Sequence, residues 1–139
     1  MKQYIGTKVI MAEPMTVTEA QKVLDRELKP ATAEEDGYLV EYKDGYKSWS
    51  PKSVFEEAYK PYNDFIDRVR IERDELDDRL TKLNEVLNKD GFRDKVGDHQ
   101  YKLMSLQSYI MELYLIALEC RMKSAGIEIQ ANNSIGNSN

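Results

Sequence analysis

The chain is poor in the residue types that carry out metal or covalent chemistry. It contains one cysteine, Cys120, and one histidine, His99, so it has no CxxC, HExxH or other set with metal-ligand spacing. The same scarcity removes Ser-His-Asp and Cys-His arrangements as catalytic schemes, and no glycine-rich phosphate loop is present. We therefore expect no catalytic residues, no metal and no cofactor. The composition indicates a binding function.

The remaining polar residues suit a nucleotide-like anion. Arg68, Arg73 and Arg121 offer guanidinium groups that can pair with phosphate, Phe92 offers a ring that can stack on a base, and Gln107 offers an amide. These residues fall in the second half of the chain. They define a candidate site for a phosphate-bearing ligand.

Each of these residues also has a structural interpretation, and the sequence leaves both open. Arg73 falls within an apolar stripe, where its side chain would reach past the stripe to water or pair with Asp77 one turn on. Arg121 lies near the end of a predicted helix, which favours a cation. Arg68 stands in an acidic helix that offers ion pairs, and Phe92 also fits a hydrophobic plug between helices.

Charge and hydropathy exclude two classes of partner. Twenty Lys and Arg against 25 Asp and Glu give a net charge of -5 and a pI near 5.0, which repels polyanions. Sequence-independent DNA binding is therefore not expected. No apolar run reaches the roughly 20 residues that cross a bilayer, and the first residues lack the apolar centre of a signal peptide. We expect a cytosolic protein that does not bind membranes.

The first half of the chain predicts a strand followed by a short helix. Residues 3–11 are rich in β-branched and apolar types around a glycine, and Pro14 ends the strand. Thr16 and Glu19 form a capping box, and helical spacing of apolar residues follows. These signals predict a helix over residues 17–28.

A β-hairpin is predicted next, centred on Asp44 and Gly45. A two-residue turn at this pair would place Val40 opposite Trp49. A short helix should then begin at Pro51 and stop near residue 60. The side chains expected on one face of the hairpin are Tyr38, Val40, Tyr42 and Trp49.

The second half predicts two long helices. Apolar residues recur at three-four spacing from Tyr62 to Lys89, where Asp90 and Gly91 end the helix, and a second helix covers residues 98–124. The pair should form an antiparallel hairpin. The predicted fold class is therefore α+β, with a small antiparallel β module and short helices at 1–60, a helical hairpin at 61–124 and a flexible tail at 125–139.

The second long helix carries two apolar stripes, and one partner helix covers only one of them. Burying roughly 600 Å² of the other stripe would contribute about 15 kcal/mol at about 25 cal/mol/Å², before association costs. We infer a homo-oligomer whose core is this helix. One stripe comprises Leu103, Leu106, Ile110, Leu113 and Ala117, and the other Met104, Met111, Leu115, Leu118 and Met122.

Motifs along the helical half match a known family. The pattern F-x-x-R-V-x-x-E spans Phe65 to Glu72, and R-L-x-K-L-x-x-x-L spans Arg79 to Leu87. An aromatic residue follows in the interhelical loop, then a Met-Gln-Met-Tyr register that closes on an arginine: Phe92, Met104, Gln107, Met111, Tyr114 and Arg121. These residues resemble the helical hairpin of the first described type of phage anti-Thoeris sponge proteins, which phage anti-CBASS cyclic-nucleotide sponges share. The β module in front of the hairpin favours the anti-Thoeris type.

The resemblance implies a function without catalysis. Such a protein would be a hexamer that captures a glycocyclic ADP-ribose signal in the cytoplasm of the infected bacterial host and holds it intact. Cyclic oligonucleotides are alternative ligands, and a phage structural or adaptor protein without a small ligand is a third interpretation. The ligand-binding residues implied by the resemblance are Phe92, Arg121 and Arg68, with Arg73, Gln107 and Met104 as additional candidates.

Overall fold

The computed structural model describes residues 1–129, which divide into two compact units. The first unit, Met1–Tyr62, contains a three-stranded antiparallel sheet and two short helices, and the second begins at Asn63 and is helical. The predicted α+β class is confirmed. The elements in chain order are β1 (Met11–Pro14), α1 (Val17–Leu24), β2 (Gly37–Glu41), β3 (Lys47–Pro51), α2 (Lys52–Ala58), α3 (Phe65–Leu87), α4 (Phe92–Val96) and α5 (Asp98–Ser124).

The capping box that opens α1 is present as predicted. Thr16 Oγ1 accepts a hydrogen bond from the Glu19 backbone N–H at 3.3 Å, and the Glu19 carboxylate accepts one from the Thr16 N–H at 2.9 Å. The bond from the Thr16 N–H, followed by one that the Thr16 hydroxyl donates to the same carboxylate, lowers the pKa of Glu19. The helix ends at Leu24, four residues earlier than predicted, because Asp25 adopts a left-handed conformation with φ of 48° and terminates it.

The sheet order is β1-β2-β3, and the register of its hairpin differs from the prediction by one residue. Leu39 lies opposite Trp49, where Val40 was expected. The reason is the loop: the Tyr42 N–H donates to the Tyr46 carbonyl, and Gly45 has a φ of +82°. The loop between Tyr42 and Tyr46 therefore has three residues instead of two. A shift of one residue changes which β2 side chains share a sheet face with Trp49.

The first strand lies later in the chain than predicted and is shorter. Residues 3–11 were expected to be extended in a sheet, but β1 starts at Met11, which pairs with Glu41, the last residue of β2. The residues that precede Met11 form no ladder with β2; Lys8, Val9 and Ile10 instead line a cavity with Tyr42 and Tyr46 of the hairpin loop. The helix expected from Pro51 begins one residue later, with Pro51 as its N-cap, and ends at Ala58.

The second unit is a helical hairpin in which α3 packs against α5. The prediction for the second long helix is confirmed at both ends, while the first long helix is shorter than 62–89 and α4 lies in the connection. Ile127 and Ile129 pack against the hairpin core, where a flexible tail was expected from residue 125 on. The rest of that expectation, residues 130–139, lies outside the described residues. The buried core residues are Val69, Leu76, Leu118 and Met122.

Candidate ligand and assembly surface of the helical hairpin

One side of α5 is apolar and exposed. Leu106 is 54% exposed, Ile110 55% and Leu113 50%. Helices of folded proteins usually bury residues of this kind. The opposite stripe faces α3, where Leu118 and Met122 are fully buried. The two-stripe pattern is therefore realised in three dimensions. We call the exposed side the outer face of α5; its large apolar residues are Leu103, Leu106, Tyr109, Ile110, Leu113 and Ile116.

A line with heptad spacing runs along one edge of this outer face. Successive members lie four and three residues apart, so all of them share one side of the helix. Two predicted ligand residues, Gln107 and Arg121, belong to this line, and both are exposed. A molecule seated on the outer face would therefore contact them. The line consists of Leu103, Gln107, Ile110, Tyr114, Ala117 and Arg121.

Arg68 belongs to the same side of the hairpin as Arg121. The Tyr114 hydroxyl on α5 donates a hydrogen bond to the Glu72 carboxylate on α3, so these two residues lie on the same side of the hairpin. Arg68 lies one turn before Glu72, and Arg121 lies two turns after Tyr114. Because the helices are antiparallel, both arginines lie towards the end of the hairpin that is remote from α4. Both are exposed on helix surfaces.

Arg73 is 6% exposed and occupies the interior of the hairpin. Its Nε and Nη2 donate to Glu119 Oε1 at 3.1 and 2.8 Å, and its Nη1 lies 3.2 Å from Asp74 and 3.6 Å from Asp77. The ion pair with Asp77 was one of the two interpretations of this residue, and it is confirmed. Arg73 contacts three carboxylates, so its charge is compensated within the chain. Its contact with a ligand stays a prediction.

The protonation of Arg73 follows from the same contacts. Burial by itself lowers the pKa of a guanidinium, since the charged form loses water. The hydrogen bonds to Glu119 and Asp74 outweigh that effect, and the pKa of Arg73 is raised. The side chain is therefore a permanent cation inside the hairpin.

The tip of the hairpin carries a second charged cluster beside Phe92. Phe92 opens α4 and is half-buried, and the next residue, Arg93, donates from Nε to Asp98 Oδ1 at 2.9 Å. The Arg93 guanidinium also lies 5.4 Å from the ring centroid of Tyr101. Lys102 forms an ion pair with Asp98 at 2.7 Å. The hydrogen bond with Lys102, followed by that with Arg93, lowers the pKa of Asp98.

The predicted ligand residues separate into two groups within one chain. Arg68 and Arg121 lie at one end of the hairpin, while Phe92, Met104 and Gln107 lie towards its tip. Gln107 and Arg121 are 14 residues apart on α5, which is about 21 Å at 1.5 Å per residue. Met104 is half-buried on the side of α5 that faces α3. A single chain therefore does not bring these residues into one pocket of nucleotide size.

Two other features are absent from the part of the chain that the structure describes. Among residues 1–129, no three His, Cys, Asp or Glu side chains are placed to hold a metal ion. Within the same residues, no helix is long and apolar enough to span a bilayer.

Comparison with known families gives a match within the helical hairpin. Residues 63–124 match the family model described as Sequestin. The Sequestin match begins just before α3 and ends at the last residue of α5, and it confirms for this segment the predicted resemblance to the phage sponge family. No curated protein and no solved structure gives a significant match to the chain. The β module lies outside the Sequestin match.

The sequence did not predict two contacts of the helical hairpin. Glu119 is the closest partner of Arg73, although only Asp77, one turn away on the same helix, was expected. The Tyr114 bond to Glu72 also joins α3 to α5. These contacts depend on the register of the two helices: an antiparallel pair that aligns Leu87 with Tyr101 also aligns residue 73 with residue 115, one turn from Glu119.

Proposed function

We propose that this protein sequesters a small cyclic nucleotide signal of the cyclic ADP-ribose class and releases it unchanged. The observation that carries the proposal is an exposed apolar face, edged by Gln107 and Arg121, on a hairpin that matches the Sequestin family. The family name denotes sequestration. A protein that sequesters its ligand needs an enclosed site and slow release, and it needs no general acid or activated water.

The site in this proposal lies between copies of the chain. The outer face of α5 is covered by α5 of a second copy, and the copies run antiparallel, so that the tip of one hairpin reaches the opposite end of the other. This arrangement unites Phe92 and Gln107 of one copy with Arg68 and Arg121 of the next. Burial of half-exposed residues such as Ile110 supplies the driving force for assembly. The resemblance supports a hexamer as the final assembly.

Each group then has a defined part in binding. Arg68 and Arg121 pair with the diphosphate, and Phe92 stacks on the adenine ring. The net charge of -5 does not prevent this, because guanidinium groups in a desolvated site interact over a few ångströms, whereas surface charges are screened beyond about 8 Å. The protein acts in the cytoplasm of an infected bacterium, where the host makes the signal.

Calorimetry with glycocyclic ADP-ribose tests the proposal directly. The full-length chain is titrated with the ligand, the complex is heated, and the released molecule is compared with the starting material by mass spectrometry. We expect saturable binding and recovery of the unchanged ligand. Absence of binding, or recovery of a cleaved product, would contradict sequestration of this signal.

The outer face of α5 also favours a second candidate function, an adaptor that docks on another protein. An exposed apolar helix face is the usual feature of such a partner site. Competition distinguishes the candidates: glycocyclic ADP-ribose and cyclic tri-adenylate are titrated separately and together on one preparation. Independent saturation by both indicates two kinds of ligand site, binding of cyclic tri-adenylate alone indicates an anti-CBASS sponge, and binding of neither favours the adaptor.

A further inference from the structure

The residues ahead of β1 form a strand-prone segment that pairs with no strand of the described residues. Residues 3–9 are rich in β-branched and aromatic types, and Tyr4, Ile5 and Val9 are 90%, 91% and 55% exposed. The register of β1 and β2 explains this exposure. The pairing of β1 with β2 begins at Met11, so residues 3–9 form no ladder with β2, and only Lys8 and Val9 lie beside the hairpin loop, in a cavity with Tyr42 and Tyr46. We call residues 3–9 the N-terminal arm.

The same unit has a sheet edge without a neighbouring strand. In the three-stranded order, β1 pairs with β2 along one side, and all four residues of Met11–Pro14 are exposed. The other edge strand, β3, is packed against α1, and the Arg26 guanidinium donates to the Lys47 carbonyl on it at 3.3 Å. The edge of β1 is therefore the open edge of this sheet, and open edges readily accept a further strand.

We propose that the N-terminal arm of one copy pairs antiparallel with the open edge of β1 in a second copy, and that the exchange is reciprocal. Strand addition of this kind uses backbone N–H and carbonyl groups that the isolated unit leaves to water. Reciprocal exchange gives a two-fold axis, the commonest symmetry of homo-oligomers. Ile5 and Val9 lose contact with water when the strand forms.

Charge complementarity supports the choice of partner. Residues 1–10 contain Lys2 and Lys8 and no acidic residue, whereas the open edge carries Glu13. An arm that lies along the edge of another copy brings its lysines towards a carboxylate, and opposite charges across neighbouring strands are favourable. A second copy of this chain therefore fits the edge without any further partner.

The size of the interface sets its strength. Two reciprocal pairs of strands of this length bury roughly 1,000 Å² in total, near the lower limit for a specific interface. The pairing should therefore be weak by itself and should strengthen where another contact already holds the same copies together. It does not depend on any ligand.

Cross-linking between isotopically distinct copies tests the exchange. Unlabelled and ¹⁵N-labelled full-length chains are mixed and treated with a zero-length carbodiimide, and the cross-linked peptides are identified by mass spectrometry. Within one chain, Lys8 and Glu13 are five residues apart on extended backbone, roughly 16 Å, which is too far for such a reagent. We expect mixed-isotope cross-links that join Lys2 or Lys8 to Glu13.

Two variants at one position make the test specific to strand pairing. Thr7→Pro removes a backbone donor and should reduce the mixed-isotope yield at least fivefold, while Thr7→Val keeps the donor and should retain it. Thermal unfolding followed by Trp49 fluorescence checks that the first unit remains folded in both. The proposal is wrong if mixed-isotope cross-links are absent from the wild type or if Thr7→Pro leaves their yield unchanged. Hydrogen exchange of the arm amides gives a second test. Exchange as fast as in an unfolded peptide, even in the most concentrated sample, would also contradict the proposed strand pairing.

Discussion

Arg73 on α3 donates two hydrogen bonds to one carboxylate oxygen of Glu119 on α5, at 3.1 and 2.8 Å, across the interior of the hairpin. The two residues are 46 positions apart in the chain. Their ion pair fixes the alignment of the two helices because a shift by one turn would leave a buried charge without its partner.

Removal of Arg73 should destabilise the hairpin. Arg73→Ala leaves Glu119, Asp74 and Asp77 facing one another without a cation, and we expect a loss of about 2 kcal/mol, below the range for fully buried pairs because Glu119 is partly exposed. Urea unfolding followed by circular dichroism at 222 nm, at fixed protein concentration, measures it. Arg79→Ala, which removes an exposed ion pair with Glu75, is the control and should change stability by less than about 0.5 kcal/mol. Equal effects of the two variants would show that the buried pair adds nothing.

The outer face of α5 should be required for assembly and dispensable for the hairpin fold. Ile110 is 55% exposed, so Ile110→Glu places little new charge in the hairpin interior but puts a carboxylate in the proposed contact between copies. We expect a monomer with unchanged helix content, measured by sedimentation velocity and circular dichroism. Glu112→Gln, an exposed polar change on the same helix, should leave the assembly intact. An oligomer that survives Ile110→Glu would contradict the role of this face.

Arg121 and Phe92 should affect ligand binding without affecting assembly. Arg121→Ala removes a charge-assisted contact, and we expect glycocyclic ADP-ribose to bind at least tenfold more weakly; Phe92→Ala removes a stacking surface, with a similar loss. Titration calorimetry and sedimentation are run on the same samples, with Lys123→Ala as the control for charge near the end of α5. If either variant becomes a monomer, that residue is structural.

The cluster at the hairpin tip should respond to acid. The hydrogen bonds with Lys102 and Arg93 place the pKa of Asp98 below its ordinary value of 3.8. The carboxylate therefore stabilises the tip above about pH 3.8, and this contribution is lost as the pH falls through the lower native pKa. Carboxyl ¹³C NMR titration should show the pKa of Asp98 rising towards 3.8 in Lys102→Ala. Lys95→Ala, which leaves both contacts of Asp98 in place, should not move it; an unchanged Asp98 pKa in Lys102→Ala would refute the assigned cause.

Gly37 should tolerate no side chain. A Cβ atom at this position would overlap the Ser50 carbonyl oxygen and the ring of Trp49 in the neighbouring strand. We expect Gly37→Ala to destabilise the first unit by about 2 kcal/mol, as overpacking does elsewhere, measured by urea unfolding with Trp49 fluorescence. Gly6→Ala is the matched control, since a Cβ at Gly6 meets no atom within 4 Å. A Gly37→Ala protein as stable as this control would mean that the strands separate at little cost.

Local signals in the sequence predicted the helices best. The end points of α5 and the capping box at Thr16 followed from side-chain spacing and hydrogen-bonding chemistry within one turn. Local signals could not give the position of the first strand. A strand forms only where a neighbouring strand is available, and the pairing with β2 begins at Met11. The hairpin register failed for a similar reason: Asp44 and Gly45 fit both a two-residue and a three-residue loop.

The ligand-binding residues stay a prediction, and their arrangement in space could not be derived from the sequence. The resemblance named Gln107 and Arg121, and in the structure both lie on one exposed line of α5. The partners of Arg73 depended on how α3 and α5 align, which no single segment encodes. The separation of Phe92 from Arg121 became visible only with the hairpin assembled, and it is the reason that the proposed site includes more than one chain.

The hairpin builds its interior from one stripe of α5 and leaves the other to solvent. Mutations on the solvent side therefore carry little penalty for folding of the individual chain. That side can therefore change in evolution while the scaffold beneath it is inherited unchanged.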